Sequence, residues 1–297
     1  MITTIAEFEE ASAFETCILH ALLPVISQNE SCTIDFRDEE VRISHYFTTS
    51  LSTAAVNHVK NDLSPLMFGA AWKVLDLALE LMLNNSEHKS ASKKKWKIAE
   101  KQKLARQGSG NYQILTTDQT VWRAVAALYA STVEHRHCLV HRAANIDPDS
   151  GSFTGVDQSS RPLLSLSLEQ QKNIAHIASL VASGIKDGGI TRRNKDYLQY
   201  FLDTIQPHSG HQSFGIKKPT YPEQIFTMLG LENGQYVLDI AATAKAAAQR
   251  SPHTLHFNVE FDVPDDSSRK LKAALENIPL GKHFINLDSL PAWLISA

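Results

Sequence analysis

The chain lacks the features that confine a protein to an unusual environment. Only three cysteines, Cys17, Cys32 and Cys138, occur in 297 residues. A set this small, odd and widely spaced makes no disulfide framework and suits a reducing compartment, so a cytoplasmic location is expected. No apolar run reaches the roughly 18 residues that suggest a membrane-spanning helix, so no membrane partner is expected. Met1 to Thr16 carries acidic residues and no basic n-region, which argues against a secretory signal. Charge of one sign does not dominate either. A formal net charge of −3 gives no global attraction to nucleic acid, so any such binding must come from a local patch. Internal repeats and extended low-complexity tracts are missing. Gly184 and Gly188-Gly189 lack the spacing of a phosphate loop, and no nucleotide cofactor is expected. What is present is ordinary for a globular protein: 43% apolar and 21% charged residues, enough for one large core or two modest ones.

Punctuation residues divide the chain. Residues 1–55 read as a helix with Phe8, Phe14, Ile18, Leu22 and Leu23 as apolar contacts, then a short hairpin, Thr33 to Phe36 and Val41 to Ser44 about Asp38-Glu39. Ser64 as cap and Pro65 at the first helical position predict a densely apolar helix over Leu66 to Leu83. Lys89 to Arg106 reads as a polar helix stopped by Gly108-Ser109-Gly110. A capping-box spacing, Thr116 to Gln119, predicts a long helix to about Ala144. Ser167 with Gln170 and then Thr191 open two more helices, closing a helical segment over 56–206. Pro, Gly, Ser and His concentrate over 207–220, which reads as a linker. In 221–297, Gln235 to Ile240, Leu255 to Val263 and His283 to Leu287 read as strands, and Ala241 to Arg250 and Asp266 to Ile278 as helices. The expected fold is therefore mainly α: a helical bundle with a small α/β C-terminal appendage and a short N-terminal hairpin.

One stretch concentrates chemistry. Glu134 to Arg142 packs six ionisable side chains and Cys138 into nine residues. At about 100° per residue, Arg136 falls within an apolar stripe running from Val121 and Trp122 to Val133 and Val140. A guanidinium keeps its charge, so in such a stripe it needs an anionic partner, structural or substrate. Asp76 and Glu80 on the apolar helix are placed to be that partner, and Glu134 to support the cluster. Arg136 and His141 are separated by four residues. An imidazole moves protons near neutral pH, and a guanidinium holds a phosphate and the charge developing on it. Cleavage of RNA by its own 2′-hydroxyl needs those two functions and no metal. His137 would be a second proton-transfer group or an orienting one.

The run Arg136-His137-Cys138-Leu139-Val140-His141 resembles the motif of the HEPN-domain ribonucleases, in which an Arg is followed by a polar residue and, a few positions on, by a His. An apolar first helix bearing Trp72-Lys73, a polar second helix and the motif on a later helix are similar to that family as well. The resemblance covers residues 56–206. It implies a helical bundle pairing as a homodimer through the motif helix, with metal-independent endonucleolytic hydrolase-type cleavage of RNA to a 2′,3′-cyclic phosphate. It further implies a toxin or antiviral (anti-phage) defence effector, restrained by a regulatory or antitoxin protein. Arg136 and His141 match the catalytic pair and His137 the polar position.

Other readings stand beside this one. Some members of that family keep the fold as a catalytically inactive binding or scaffold module. His137 and His141, one helical turn apart, have the spacing of helical zinc ligands, which suggests a metal-dependent hydrolase, although no third ligand has a recognisable spacing to them. Lys93, Lys94, Lys95 and Lys97 around Trp96, with Arg142, form a local basic patch that is either a solvated face or an RNA-backbone and base-stacking site. Cys138 reads as a small buried thiol.

Overall fold

In the computed structural model, residues 1–26, 29–35, 42–48, 53–88, 96–141, 144–147, 150–216, 223–240, 244 and 256–296 are described, with backbone alone over 24–26, 29–35, 42–48, 53–62, 223 and 267. The chain divides into two compact units, Met1–Ser27 with Thr49–Lys217, and Gln28–Thr48 with Lys218–Ala297. The first holds helices α1 (Ile5–Ile26), α2 (Thr53–Asn84), α3 (Ile98–Arg106), α4 (Gln119–His141), α5 (Leu168–Lys186), α6 (Arg192–Thr204) and the single turn α7 (Gln206–Ser209). The second holds β1 (Asn29–Asp35) and β2 (Arg42–Thr48). After β3 (Asn145–Ile146) and β4 (Phe153–Thr154), which pair within the helical unit, it continues with β5 (Glu223–Met228), β6 (Gly230–Glu232), β7 (Gln235–Asp239), β8 (Phe257–Val263), β9 (Asp266–Ala274), β10 (Lys282–Ile285) and β11 (Ile295–Ser296).

The mainly α expectation with a small α/β appendage is corrected here. Among the described residues the second unit is mostly β, a six-stranded sheet of order β11-β9-β8-β5-β1-β2 and a three-stranded sheet of order β10-β7-β6, with Ile240 and Ala244 helical. The N-terminal hairpin is part of the larger sheet, because β1 pairs in parallel with β5 through Thr33, Ile34 and Asp35, and β5 in parallel with β8. Asp266 to Ile278, read as a helix, is strand β9 followed by a 3-10 turn over Leu275–Asn277. Lysine, leucine and alanine favour helix locally, but pairing with β8 overrides them. Leu271 and Ala273 are buried while Lys270, Lys272 and Ala274 are less so, the alternation a half-buried strand requires. Ile225, Val259, Phe261 and Leu271 lie in this unit's own core. The helix expected over 241–250 lies almost wholly outside the described residues.

In the helical unit α2 packs against α1, α4 and α5, burying Met67, Phe68, Ala71, Val74, Leu75 and Ala78. It runs through Pro65, so Ser64 is a buried interior residue and not its cap. The ring removes one ladder N–H, a loss that packing along the rest of the helix offsets. The α5 start matches the sequence: Ser167 Oγ accepts from the Gln170 N–H at 3.2 Å, and Gln170 Oε1 from the Ser167 N–H at 2.9 Å. Thr191 caps α6 by accepting from Asn194. For α4 the cap is Asp118, not Thr116; its carboxylate accepts from the Thr120 N–H at 3.0 Å and pairs with Lys195 at 2.7 Å. Gly108 ends α3 at φ 66°, letting the N–H groups of Gly108 and Ser109 reach back to the Ala105 and Leu104 carbonyls. Phe214 and Gly215, in the stretch read as a linker, donate backbone N–H groups to the Asp203 carboxylate at 2.9 Å. Among the described residues no helix is long and apolar enough to cross a membrane.

Candidate functional site

The last two turns of α4 have two unlike faces. His135 and Cys138 are buried, while Arg136 and His137 are half-buried and Val140 and His141 exposed. The buried face is sealed by the segment after β4. The His135 Nε2 pairs with the Leu164 carbonyl at 2.8 Å, and the Cys138 thiol donates to the Val156 carbonyl at 2.9 Å. Arg136 therefore does not sit in the middle of a buried stripe. Helical phase alone gives no sign that residues 153–166 cover the His135–Cys138 side and leave Val140 at 53% exposure.

On the open side three predicted groups come together. Arg136 Nη1 lies 3.4 Å from His141 Nε2. A guanidinium only donates, so in this arrangement His141 Nε2 offers its lone pair and the ring proton is on Nδ1. The rings of His137 and His141 are 6.2 Å apart, and His137 Nδ1 is 3.6 Å from Glu134 Oε1. Glu134 thus supports His137, and it does not pair with the arginine.

Beneath Arg136 is Trp72 of α2, with the guanidinium carbon 5.4 Å from the ring centroid. Trp72 stacks on Tyr129 at 5.0 Å and 25°. The Tyr129 hydroxyl donates to Asp76 Oδ1 at 2.8 Å, and Asp76 pairs with Lys101 at 2.7 Å. Helices α2 and α4 run antiparallel through these contacts: Asp76 meets Tyr129, Trp72 meets Arg136, and Gly69 faces Leu139, where an added Cβ would stand 3.2 Å from Cδ2. The expectation that Asp76 and Glu80 pair with Arg136 is corrected. Both go to Lys101, which is only 3% exposed, and Glu80 also accepts the Ile2 N–H. Burial, followed by the charge of Asp76, holds the Tyr129 hydroxyl far above its usual range, so it stays protonated. Burial likewise lowers His135, against its hydrogen bonds to the Leu164 and Ser131 backbone. The sequence signal for this support was the spacing of Trp72, Asp76 and Glu80, one face of α2 repeated every four residues.

The basic patch divides. Lys93, Lys94, Lys95 and Arg142 lie outside the described residues, and Lys97 is exposed at the start of α3. Trp96 is corrected as a stacking platform: it is 7% exposed and its indole donates to Asn84 Oδ1 at 2.8 Å, so it is a core residue. A groove of about 540 Å³ between α1 and α5 is lined in part by Ser12, Cys17, His20, Ser183 and Lys186, and contains none of the predicted groups. Among the described residues, no group of three or more His, Cys, Asp and Glu side chains is arranged to hold a metal ion. No family model, curated protein or solved structure matches this chain.

Proposed function

We propose that the chain is a metal-independent endoribonuclease whose reaction centre is Arg136, His141 and His137. The observation that carries this reading is the convergence of the three on one open helix face, with the Arg136–His141 contact at 3.4 Å and the two imidazoles 6.2 Å apart. An incoming ribose 2′-hydroxyl displaces the Arg136 N–H from the His141 Nε2 lone pair, which takes the hydroxyl proton. The 2′-oxygen forms the new bond to phosphorus as the bond to the 5′-oxygen breaks. Charge gathering on the non-bridging oxygens is met by Arg136, whose five N–H donors include the one released from His141. His137, whose Nδ1 lies 3.6 Å from Glu134 Oε1, supplies the proton to the leaving 5′-oxygen. The products are a 2′,3′-cyclic phosphate and a 5′-hydroxyl.

An extended phosphodiester suits an open face better than an enclosed pocket. Leu66 and Val140 are exposed apolar residues on the two antiparallel helices, at 51% and 53%. We expect a second copy to pair through α4 and cover them. Val140→Glu should then shift sedimentation from dimer to monomer.

The deciding experiment is incubation of end-labelled RNA with the purified chain in excess EDTA. Cleavage with cyclic-phosphate ends supports the reading. Binding without cleavage points to a silent binding module, and activity restored only by zinc to the His137–His141 metal alternative.

A further inference from the structure

Trp72 is an expensive choice for a core position. The residue is 3% exposed, and its indole N–H is buried with no hydrogen-bond partner among the described residues. An unpaired buried donor is destabilising, and phenylalanine would offer an aromatic face without one. What tryptophan does better than phenylalanine is hold a cation over its face, and Arg136 lies there.

We propose that Trp72 is a positioning residue for Arg136, held in turn by the buried chain Tyr129–Asp76–Lys101; this rests on the reading of Arg136 as the phosphate-stabilising group. A long arginine at an open surface samples many rotamers, and catalysis needs it in one. A carboxylate would fix it but would also neutralise it and compete with phosphate for its donors. A π face fixes it and adds no anion. The neighbouring acids are engaged elsewhere, Asp76 and Glu80 by Lys101 and Glu134 by His137, and among the described residues Arg136 makes no ion pair with a carboxylate. Its charge is left for the substrate.

The test separates this proposal from the nuclease reading. In an NMR spectrum of the full chain, the Arg136 Nε–H resonance, assigned by its loss in Arg136→Lys, should be moved upfield by the Trp72 ring current. It should stay displaced in Trp72→Phe and return toward the free-arginine position in Trp72→Leu, or in Trp72→Met should the leucine variant not fold. With RNA, Trp72→Leu should lose about tenfold in kcat with KM little changed, and Trp72→Phe should recover most of it. An undisplaced Arg136 resonance in the unmodified chain, or one indifferent to Trp72→Leu, overturns the proposal whatever the activity. A displaced resonance in a chain that cleaves no RNA upholds the orientation and removes the ribonuclease reading alone.

Discussion

Lys101 Nζ lies 2.7 Å from Asp76 Oδ1, with the lysine side chain 3% and the aspartate side chain 10% exposed. Lys101 belongs to the segment richest in lysine, yet it is internal and serves the core. Lys101→Met should leave the Asp76 carboxylate buried with only the Tyr129 hydroxyl to satisfy it, at a cost of about 3–5 kcal/mol. Adding Asp76→Asn should recover a large part, because the uncompensated charge goes with it. Urea unfolding of the single and double variants measures both. A single variant within about 1 kcal/mol of the unmodified chain, roughly what an exposed pair contributes, would show that the pair contributes nothing.

Arg136 and His141 face outward, so their removal should be felt in chemistry and hardly in stability. Arg136→Ala and His141→Ala should each lower RNA cleavage by about a hundredfold or more. Arg136→Lys should fall between, since it keeps the charge and loses the planar fork. His137→Ala should be rescued by substrates with a good leaving group, which need no proton at the 5′-oxygen. Melting temperatures run in parallel check folding. Wild-type rates from folded Arg136→Ala and His141→Ala would remove the site.

Local signals were legible where the local chain decides the outcome. Ser167 with Gln170 caps as its spacing predicts, and the helix expected from about Thr191 starts there, since both depend on contacts within one turn. What failed depended on distant chain. The partner of Thr33–Asp35 is Gln224–Phe226, so nothing near the hairpin announces the six-stranded sheet. Strand β9 carries helix-forming residues and is a strand because β8 pairs with it. The Arg136–His141–His137 cluster was visible as a density of ionisable residues. Its orientation was not, because the cover over His135 and Cys138 comes from residues 153–166. Trp96 illustrates the same limit: flanking lysines suggest a stacking surface, while Asn84 draws the indole into the core.

Acid should weaken the helical unit through histidines held neutral. Burial, with Lys172 adding to it, pushes His176 down to about 4, and its ring stacks flat on Phe201 at 4.7 Å. Burial, then the neighbouring His135, pushes His208 down to about 4 as well. A folded-state value below the unfolded value of about 6.5 means the unfolded chain binds more protons below that pH. This part of the stability is therefore intact above about pH 6.5 and is lost as pH falls toward 4. For His176 the loss should be on the order of 2 kcal/mol, discounted for partial exposure. Urea midpoints across this range should decline for the unmodified chain and decline less for His176→Phe. Equal slopes would mean that the imidazole is not held neutral.

The wall behind α4 rests on one close approach. A Cβ at Gly155 would stand 2.8 Å from Cys138 Sγ and 3.1 Å from its Cβ, so this glycine is needed for space. Gly155→Ala should overpack the contact and cost about 1–3 kcal/mol. Cys138→Ala removes the sulfur that the new methyl would strike, along with the thiol's bond to the Val156 carbonyl. The two changes together should therefore destabilise less than the sum of each alone, by about 1 kcal/mol in a double-mutant cycle. Because this wall covers the face of α4 opposite Arg136, Gly155→Ala assayed well below its melting temperature should keep its RNA cleavage rate. Strict additivity would place the strain elsewhere. A collapse of activity in a fully folded Gly155→Ala chain would show that the wall positions the site as well as sealing the helix behind it.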